Sequence, residues 1–168
     1  MLYFMGERTA LRNLTDSDLA FLCELRADES CARYQRWEDN SAPHIQKMIH
    51  EHHADALLSQ KEIQRFIICT TSGTPIGTLV LFVTPSDGCI SVGITIATPY
   101  QRQGYARDLL LALISRIGKT HSSLDIVALI HPENTPSVRL FESLGFVFDL
   151  YAESLQSLVY VLHNHQAP

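Results

Sequence analysis

The middle of the chain limits what the whole can become. Ile63–Thr70, Ile76–Thr84 and Cys89–Ala97 are runs rich in β-branched residues, separated by Ser72-Gly73-Thr74-Pro75 and Pro85-Ser86-Asp87-Gly88. Gly admits left-handed backbone, Pro presets φ, and Ser and Asp bond their own main chain, so both separators are turn chemistry. Links this short join strands as antiparallel hairpins, because a parallel return needs a crossover of a dozen or more residues. The spacing predicts a three-stranded antiparallel meander, whose apolar face must be covered by other elements.

The flanks supply that cover. Arg8–Leu14 reads as a short strand. Thr15, followed three residues later by Asp18, is a capping-box-like start for a helix through about Ala27, with Leu19, Leu22 and Cys23 at helical spacing. The segment Asp28–Asn40 is polar and aromatic and has no clear period. Ser41 caps a second helix, with Pro43 in its first turn and Ile45, Met48, Ile49, Ala56 and Leu57 as one stripe. Beyond the meander, Arg102–Ile117 reads as a helix buried through Ala106, Leu109, Leu110, Leu113 and Ile117, with Gly118 as its stop. Leu124–Ile130 is a further strand, Thr135–Leu144 a helix ended by Gly145, and Phe146–Tyr151 with Leu158–His163 a closing hairpin. The order β-α-α-β-β-β-α-β-α-β-β describes an α+β domain. No linker or repeat divides residues 1–168, so one domain is expected.

Charge narrows the partners. Thirteen Lys and Arg against 18 Asp and Glu leave a net charge of −5 with no basic run, which argues against nucleic acid and suits an amine-bearing substrate. Apolar runs such as Leu79–Val83 and Leu109–Ile114 fall far short of the roughly 20 residues that cross a bilayer. The amino end lacks a basic stretch followed by an apolar core, so a cytoplasmic protein is expected. Cys23, Cys31, Cys69 and Cys89 form no CxxC pair, and Cys69 and Cys89 read as buried thiols. His50, His52 and His53 crowd one helix without an HExxH pattern or a third ligand; like His163-Asn164-His165, they read as solvated, and no metal is expected.

Two segments carry chemistry. In Ile94–Ala106 a β-branched strand passes through a short loop into the amino end of a long helix, with Gly104 and Ala106 in its first turns. Small residues and free N–H groups there attract phosphate, and Arg102 and Arg107 add positive charge. The fingerprints GxGxxG and GxxxxGK[ST] are both absent, and taken alone the segment also fits an ordinary strand-to-helix turn. The second segment, His131–Phe146, follows a strand and ends at a Gly-Phe helix stop.

Together they resemble the GNAT acyltransferase superfamily. Gln101-Arg102-Gln103-Gly104-Tyr105-Ala106 fits the family's coenzyme A loop, Q/R-x-x-G-x-G/A, and Asn134, Ser137, Arg139, Gly145 and Phe146 fit its N-x-x-S-x-R…G-F element. Glu7-Arg8 through Leu14, the capped acidic helix, Ala32-Arg33-Tyr34 and Trp37 resemble its ribosomal-protein N-terminal acetyltransferase branch. The resemblance implies a mixed, mostly antiparallel sheet with a splayed fourth strand and helices on both faces. It implies acetyl-CoA as acyl donor, met by backbone groups of Ile94, Thr95 and Ile96. A pyrophosphate cradle over Arg102, Gln103, Gly104, Tyr105, Ala106 and Arg107 follows, with Asn134 on the pantetheine arm. Ser137 would lie near the sulfur as the catalytic hydroxyl, and Tyr34 and Trp37 would border the acceptor groove.

The chain also departs from the family. Phe141 stands where members often carry a Tyr acid, and Ser91 and Leu129 stand at two usual base positions. A water relay, Glu38 or Asp39 then becomes the route for the proton. The reading is an acetyl-CoA-dependent N-acetyltransferase acting on a protein or peptide α-amine, as a monomer or homodimer. Aminoglycoside or polyamine acetylation and non-catalytic acyl-CoA binding are the alternatives.

Overall fold

In a computed structural model, which describes residues 1–164, the chain runs β1 (Leu2–Phe4), β2 (Thr9–Arg12), α1 (Leu19–Ala27), α2 (Glu29–Ala32), α3 (Ala42–His52), β3 (Ile63–Thr70), β4 (Pro75–Thr84), β5 (Cys89–Ile96), α4 (Tyr105–Thr120), β6 (Asp125–Ile130), α5 (Thr135–Ser143), β7 (Val147–Ala152) and β8 (Ser157–Leu162). His165 lies outside the described residues. The strands form one sheet in the order β1-β2-β3-β4-β5-β6-β8-β7, antiparallel except for β5 beside β6. This is the mixed α+β fold read from the sequence, and the expected meander is its centre.

Each face of the sheet has its own core. On one, Leu79, Leu81, Ile90 and Val92 pack against Leu109, Leu110 and Leu113 of α4 and Phe141 of α5. On the other, Ile67 packs against Leu22 of α1 and Ile45, Met48 and Ile49 of α3. Alternation along β3 produces this division: Phe66 and Ile68 face α4 while Ile67 faces α3. The capping box at Thr15 forms, with Asp18 accepting the Thr15 N–H at 2.8 Å, and a 3-10 turn over Asp16–Asp18 precedes α1.

Several elements differ from the sequence reading. The apolar start pairs with β2 as β1, so the splayed strand is fifth rather than fourth. Asp28 caps the short α2 by accepting the Ser30 and Cys31 N–H groups, inside a segment without a hydrophobic period. Helix α3 stops at His52 because His52 and Lys61 converge on buried Asp55, which also accepts the Arg65 N–H at 2.8 Å; Ala56 is left exposed. Helix α4 runs through Gly118 to Thr120, since a helical Gly costs about 1 kcal/mol, less than unpacking the fully buried Ile117. It begins at Tyr105, not Arg102, because Arg102 (φ +59°) and Gly104 (φ +84°) are both left-handed.

Candidate active site

The parallel pair β5–β6 is short. Cys89, Ile90 and Ser91 register with Asp125, Ile126 and Val127, and there the pairing ends. Strand β5 stays on β4 as far as Ile96 opposite Gly77, while β6 stays on β8 as far as Ile130 opposite Leu158. A Cβ at Gly77 would strike the Thr95 carbonyl, so the glycine lets β4 hold β5 closely while β6 leaves. The two strands therefore diverge after Ser91 and open a wedge in the sheet.

Strand alternation decides what lines the wedge. The Ala97 N–H donates to Ile76 O at 2.9 Å, so Thr95 turns its main-chain groups to β4 while those of Ile94 and Ile96 face the wedge. The Ile96 carbonyl is already engaged, accepting from Gln101 Nε2 at 2.8 Å and Cys31 Sγ at 3.5 Å. Thr98 Oγ1 donates to Asp28 Oδ2 at 2.6 Å, tying α2 to the end of β5. That bond, opposed by desolvation, holds the Asp28 carboxyl below its ordinary range, and burial pushes the Cys31 thiol up.

Next to the wedge is the amino end of α4. Its N-terminus has no side-chain cap, and the N–H groups of Tyr105, Ala106 and Arg107 precede the first intrahelical bond, Asp108 N–H to Gly104 O at 3.0 Å. Arg8 of the β1–β2 connection reaches this loop, donating Nη1 to Gln103 O at 2.6 Å with its guanidinium 4.2 Å from the Tyr105 ring centroid. Asp108 anchors that connection. Its carboxylate accepts the Glu7 N–H at 3.1 Å, the Arg8 N–H at 3.2 Å and Thr9 Oγ1 at 2.6 Å, and Gly6 is where a Cβ would collide with it. Arg8 thus brings its guanidinium to open N–H groups at a helix amino end, and Arg102 and Arg107 belong to the same loop and first helical turn, a combination that suits a pyrophosphate.

On the α1–α3 face the wedge opens into a cavity of about 500 Å³. Its floor is Thr78 and Val80 of β4 with Ser91, Gly93 and Thr95 of β5, and Tyr34 and Trp37 are in its wall. Tyr34 stacks on His131 with ring centroids 5.1 Å apart. Among the described residues, the charged groups lining it are Arg26, Arg33, Arg36 and Arg65, with His131 beside them and no Asp or Glu. The acidic net charge of the chain does not describe this space.

Residues 8–147 match the family described as the acetyltransferase (GNAT) domain. The chain belongs to the GNAT acetyltransferases. It is 28% identical over 147 residues to an uncharacterized N-acetyltransferase, p20, of Bacillus licheniformis, across 83% of this chain and 79% of that protein. Among solved structures, it shares its fold with a putative ribosomal-protein-serine acetyltransferase from Vibrio cholerae, with a TM-score of 0.80, 21% identity and 97% of each chain covered. It also shares it with a spermidine N-acetyltransferase from Vibrio cholerae in complex with CoA and spermine, with a TM-score of 0.71 and 21% identity over 91% of this chain and 92% of that one.

As a GNAT acetyltransferase the chain uses acetyl-CoA, and its cradle, from the Gly104 turn to the uncapped first turn of α4, fits that cosubstrate. Asn134 caps α5, accepting the Ser137 N–H at 3.3 Å, so Asn134 and Ser137 share one helix end just after β6. Phe141 is only 2% exposed and packs edge-on against Phe146 at 5.0 Å, turned into the core. Ser91 and Leu129 line the cavity, whereas Glu38 and Asp39 do not; Asp39 accepts the Ser41 N–H at 2.8 Å ahead of α3. Among the described residues no three His, Cys, Asp or Glu side chains meet to hold a metal. His50 pairs with Asp16 at 3.1 Å, and His52 is buried against Asp55 rather than solvated. Among the same residues no helix is long and apolar enough to cross a membrane. Arg8 and Asp108 were illegible as site residues because they meet across about 100 positions of sequence; Gly6 beside Glu7-Arg8 was the only local signal.

Proposed function

We propose that this GNAT enzyme transfers the acetyl group of acetyl-CoA to the α-amine of a protein or peptide N-terminus. The observation that carries the reading is the wedge itself. It joins the α4 side of the sheet, where the phosphate cradle lies, to the cavity on the α1–α3 side, so donor and acceptor approach one point from opposite faces. Acetyl-CoA supplies an acyl carbonyl and a thiolate leaving group when bound. The Ile94 N–H faces the wedge and serves as the fixed donor to a developing oxyanion, while the Ile96 carbonyl, held by Gln101, keeps the strand end in place. Asn134 donates its amide to the pantetheine arm, and Ser137 donates its hydroxyl to the departing sulfur. Among the described residues no carboxylate lines the cavity, so the amine proton leaves through water.

The test is acetyl transfer from acetyl-CoA to a panel of N-terminal peptides, spermidine and an aminoglycoside, followed by thiol release and mass spectrometry. The acetyl group is expected on peptide α-amines. Turnover confined to spermidine or the aminoglycoside overturns the acceptor assignment, and no turnover with any amine overturns the transfer itself.

A further inference from the structure

The cavity holds more positive charge than a bare amine acceptor calls for. Arg26 lies on α1 and is 8% exposed. It donates Nη1 to the Asp39 carbonyl at 3.1 Å and Nη2 to the Met48 sulfur at 3.1 Å, with its guanidinium 5.2 Å from the Trp37 ring centroid. Arg65 enters from β3, and its Nε is buried with no hydrogen-bond partner among the described residues. Among the described residues neither guanidinium has a carboxylate within 4.0 Å, and Asp55 meets Arg65 only through its main-chain N–H at 2.8 Å; the Arg12–Asp18 pair on the same face shows what a satisfied guanidinium looks like here, with two contacts of 2.6 and 2.7 Å. Burying a guanidinium without an anion is unfavourable, and packing alone would be served better by Met or Leu. Burial depresses the pKa of both groups, and Arg65 depresses that of Arg26 further; Asp39 acts the other way on Arg26, as Asp55 and Glu51 do on Arg65, without offsetting the burial.

We infer that the arginine-lined end of this cavity binds an oxyanion carried by the acceptor, so that the substrate is an amine with a carboxylate-type group near it, in the form of an acidic peptide N-terminus. The inference rests on the transfer reading above. The register supplies the distance: Arg65, Val80 and Gly93 stand opposite one another on β3, β4 and β5. Two strand spacings therefore separate the Arg65 main chain from the wedge at Gly93, about 10 Å. An extended peptide advances about 3.5 Å per residue, so an amine at the wedge places an acidic side chain of the second or third residue within reach of the two guanidinium groups. Their forked N–H groups match a carboxylate in bidentate fashion. Arg33 and Arg36 are exposed and extend the same sign of charge along the wall, Arg36 donating to Ser157 Oγ at 3.0 Å. A polyamine would bring its second ammonium into the same field and be repelled.

The experiment measures binding and transfer separately. Calorimetry on the full chain with CoA present compares the amidated peptides Ser-Asp-Glu-Gly and Ser-Asn-Gln-Gly with free glutamate and spermidine; kcat/KM with acetyl-CoA is then taken for each. The acidic peptide is expected to bind at least about tenfold more tightly than its amide twin and to show the same ratio in kcat/KM, as charge-assisted hydrogen bonds to a carboxylate give. That ratio should fall below about threefold in Arg65→Met and in Arg26→Met, and recover in part in Arg65→Lys. Unchanged circular dichroism, and retained stabilisation by acetyl-CoA, certify that the variants fold. Equal binding of the two peptides, tighter binding of spermidine, or a ratio unchanged in both Met variants overturns the inference. A preference for glutamate over the acidic peptide overturns the peptide form of the acceptor. Preferential binding of the acidic peptide without any acetyl transfer leaves the anion site standing and overturns the transfer reading instead.

Discussion

Asp108→Ala separates two ways in which the proposed cofactor cradle can be built. The carboxylate accepts three hydrogen bonds, from the Glu7 and Arg8 N–H groups and from Thr9 Oγ1. In a half-buried setting, where water replaces part of what is lost, each is worth about 1 kcal/mol, so the deletion costs about 3 kcal/mol. For a domain of this size a loss of 1 kcal/mol lowers Tm by about 2–4 °C, giving an expected drop of about 6–12 °C by scanning calorimetry. The informative quantity is acetyl-CoA affinity, measured by titration calorimetry. Removing a negative charge beside a phosphate cradle should tighten binding on Coulomb's law alone. The structure argues for the opposite sign, because Asp108 fixes the connection from which Arg8 reaches Gln103 O and the Tyr105 ring. Freeing that connection removes one ordered guanidinium, a loss of about 1 kcal/mol, or roughly fivefold in Kd. Arg8→Ala should reproduce the affinity loss with a Tm change of less than about 3 °C. Tighter or unchanged binding in Asp108→Ala would refute the tether and leave Asp108 as a purely structural residue.

Other perturbations test other links in the chain of reasoning. Gly104→Ala forces a Cβ onto φ +84°, where the nearest atom of the described residues beyond its chain neighbours is Arg8 Nη1 at 3.7 Å, so the penalty of about 1–2 kcal/mol is conformational rather than steric; Gly104→Asn, which tolerates the left-handed region better, should recover part of the Tm. Ser137→Ala should lower kcat roughly tenfold while the acetyl-CoA KM stays within about twofold, and a change in KM alone would remove the hydroxyl from the chemical step. At Asp18 desolvation raises the pKa, but the hydrogen bonds from Arg12 and Thr15 together outweigh it and hold the carboxyl below its ordinary 3.8. The stability it contributes is therefore present above pH 3.8 and disappears as the pH falls through the lower folded value. Chemical denaturation of Asp18→Asn should show a deficit at pH 7 that closes below pH 3.8; a deficit independent of pH would assign the loss to geometry rather than charge.

Local pattern carried much of this protein. The two turn sequences determined the meander, the 3.6-residue periodicities of residues 106–117 and 45–49 determined which helix faces are buried, and Thr15 with Asp18 determined where the first helical segment starts. The Gln101–Ala106 and Asn134–Phe146 segments pointed to an acyl-CoA enzyme through their resemblance to the GNAT motifs; the small residues of the first, by themselves, fit a phosphate-attracting helix start and an ordinary strand-to-helix turn alike. Periodicity was silent on β1 and α2, whose three and four residues are too few to show a period. The end of α3 differs from its hydrophobic stripe because buried Asp55 is held by His52, by Lys61 and by the Arg65 N–H, contacts that a helical period does not register.

What only the tertiary structure decided is the sign of the charge in the cavity on the α1–α3 face. The sequence has five more acidic than basic residues, and nothing in it distinguishes Arg26 and Arg65 from the other basic side chains. They are brought together because α1 crosses the face of β3 that carries the odd-numbered residues, while the carboxylates of the region pair with other side chains, Asp18 with Arg12 and Asp55 with Lys61 and His52, Asp55 touching Arg65 only at its main-chain N–H. Total charge is additive along a chain, but the field in a cavity depends on which side chains the fold points into it and which it pairs outside.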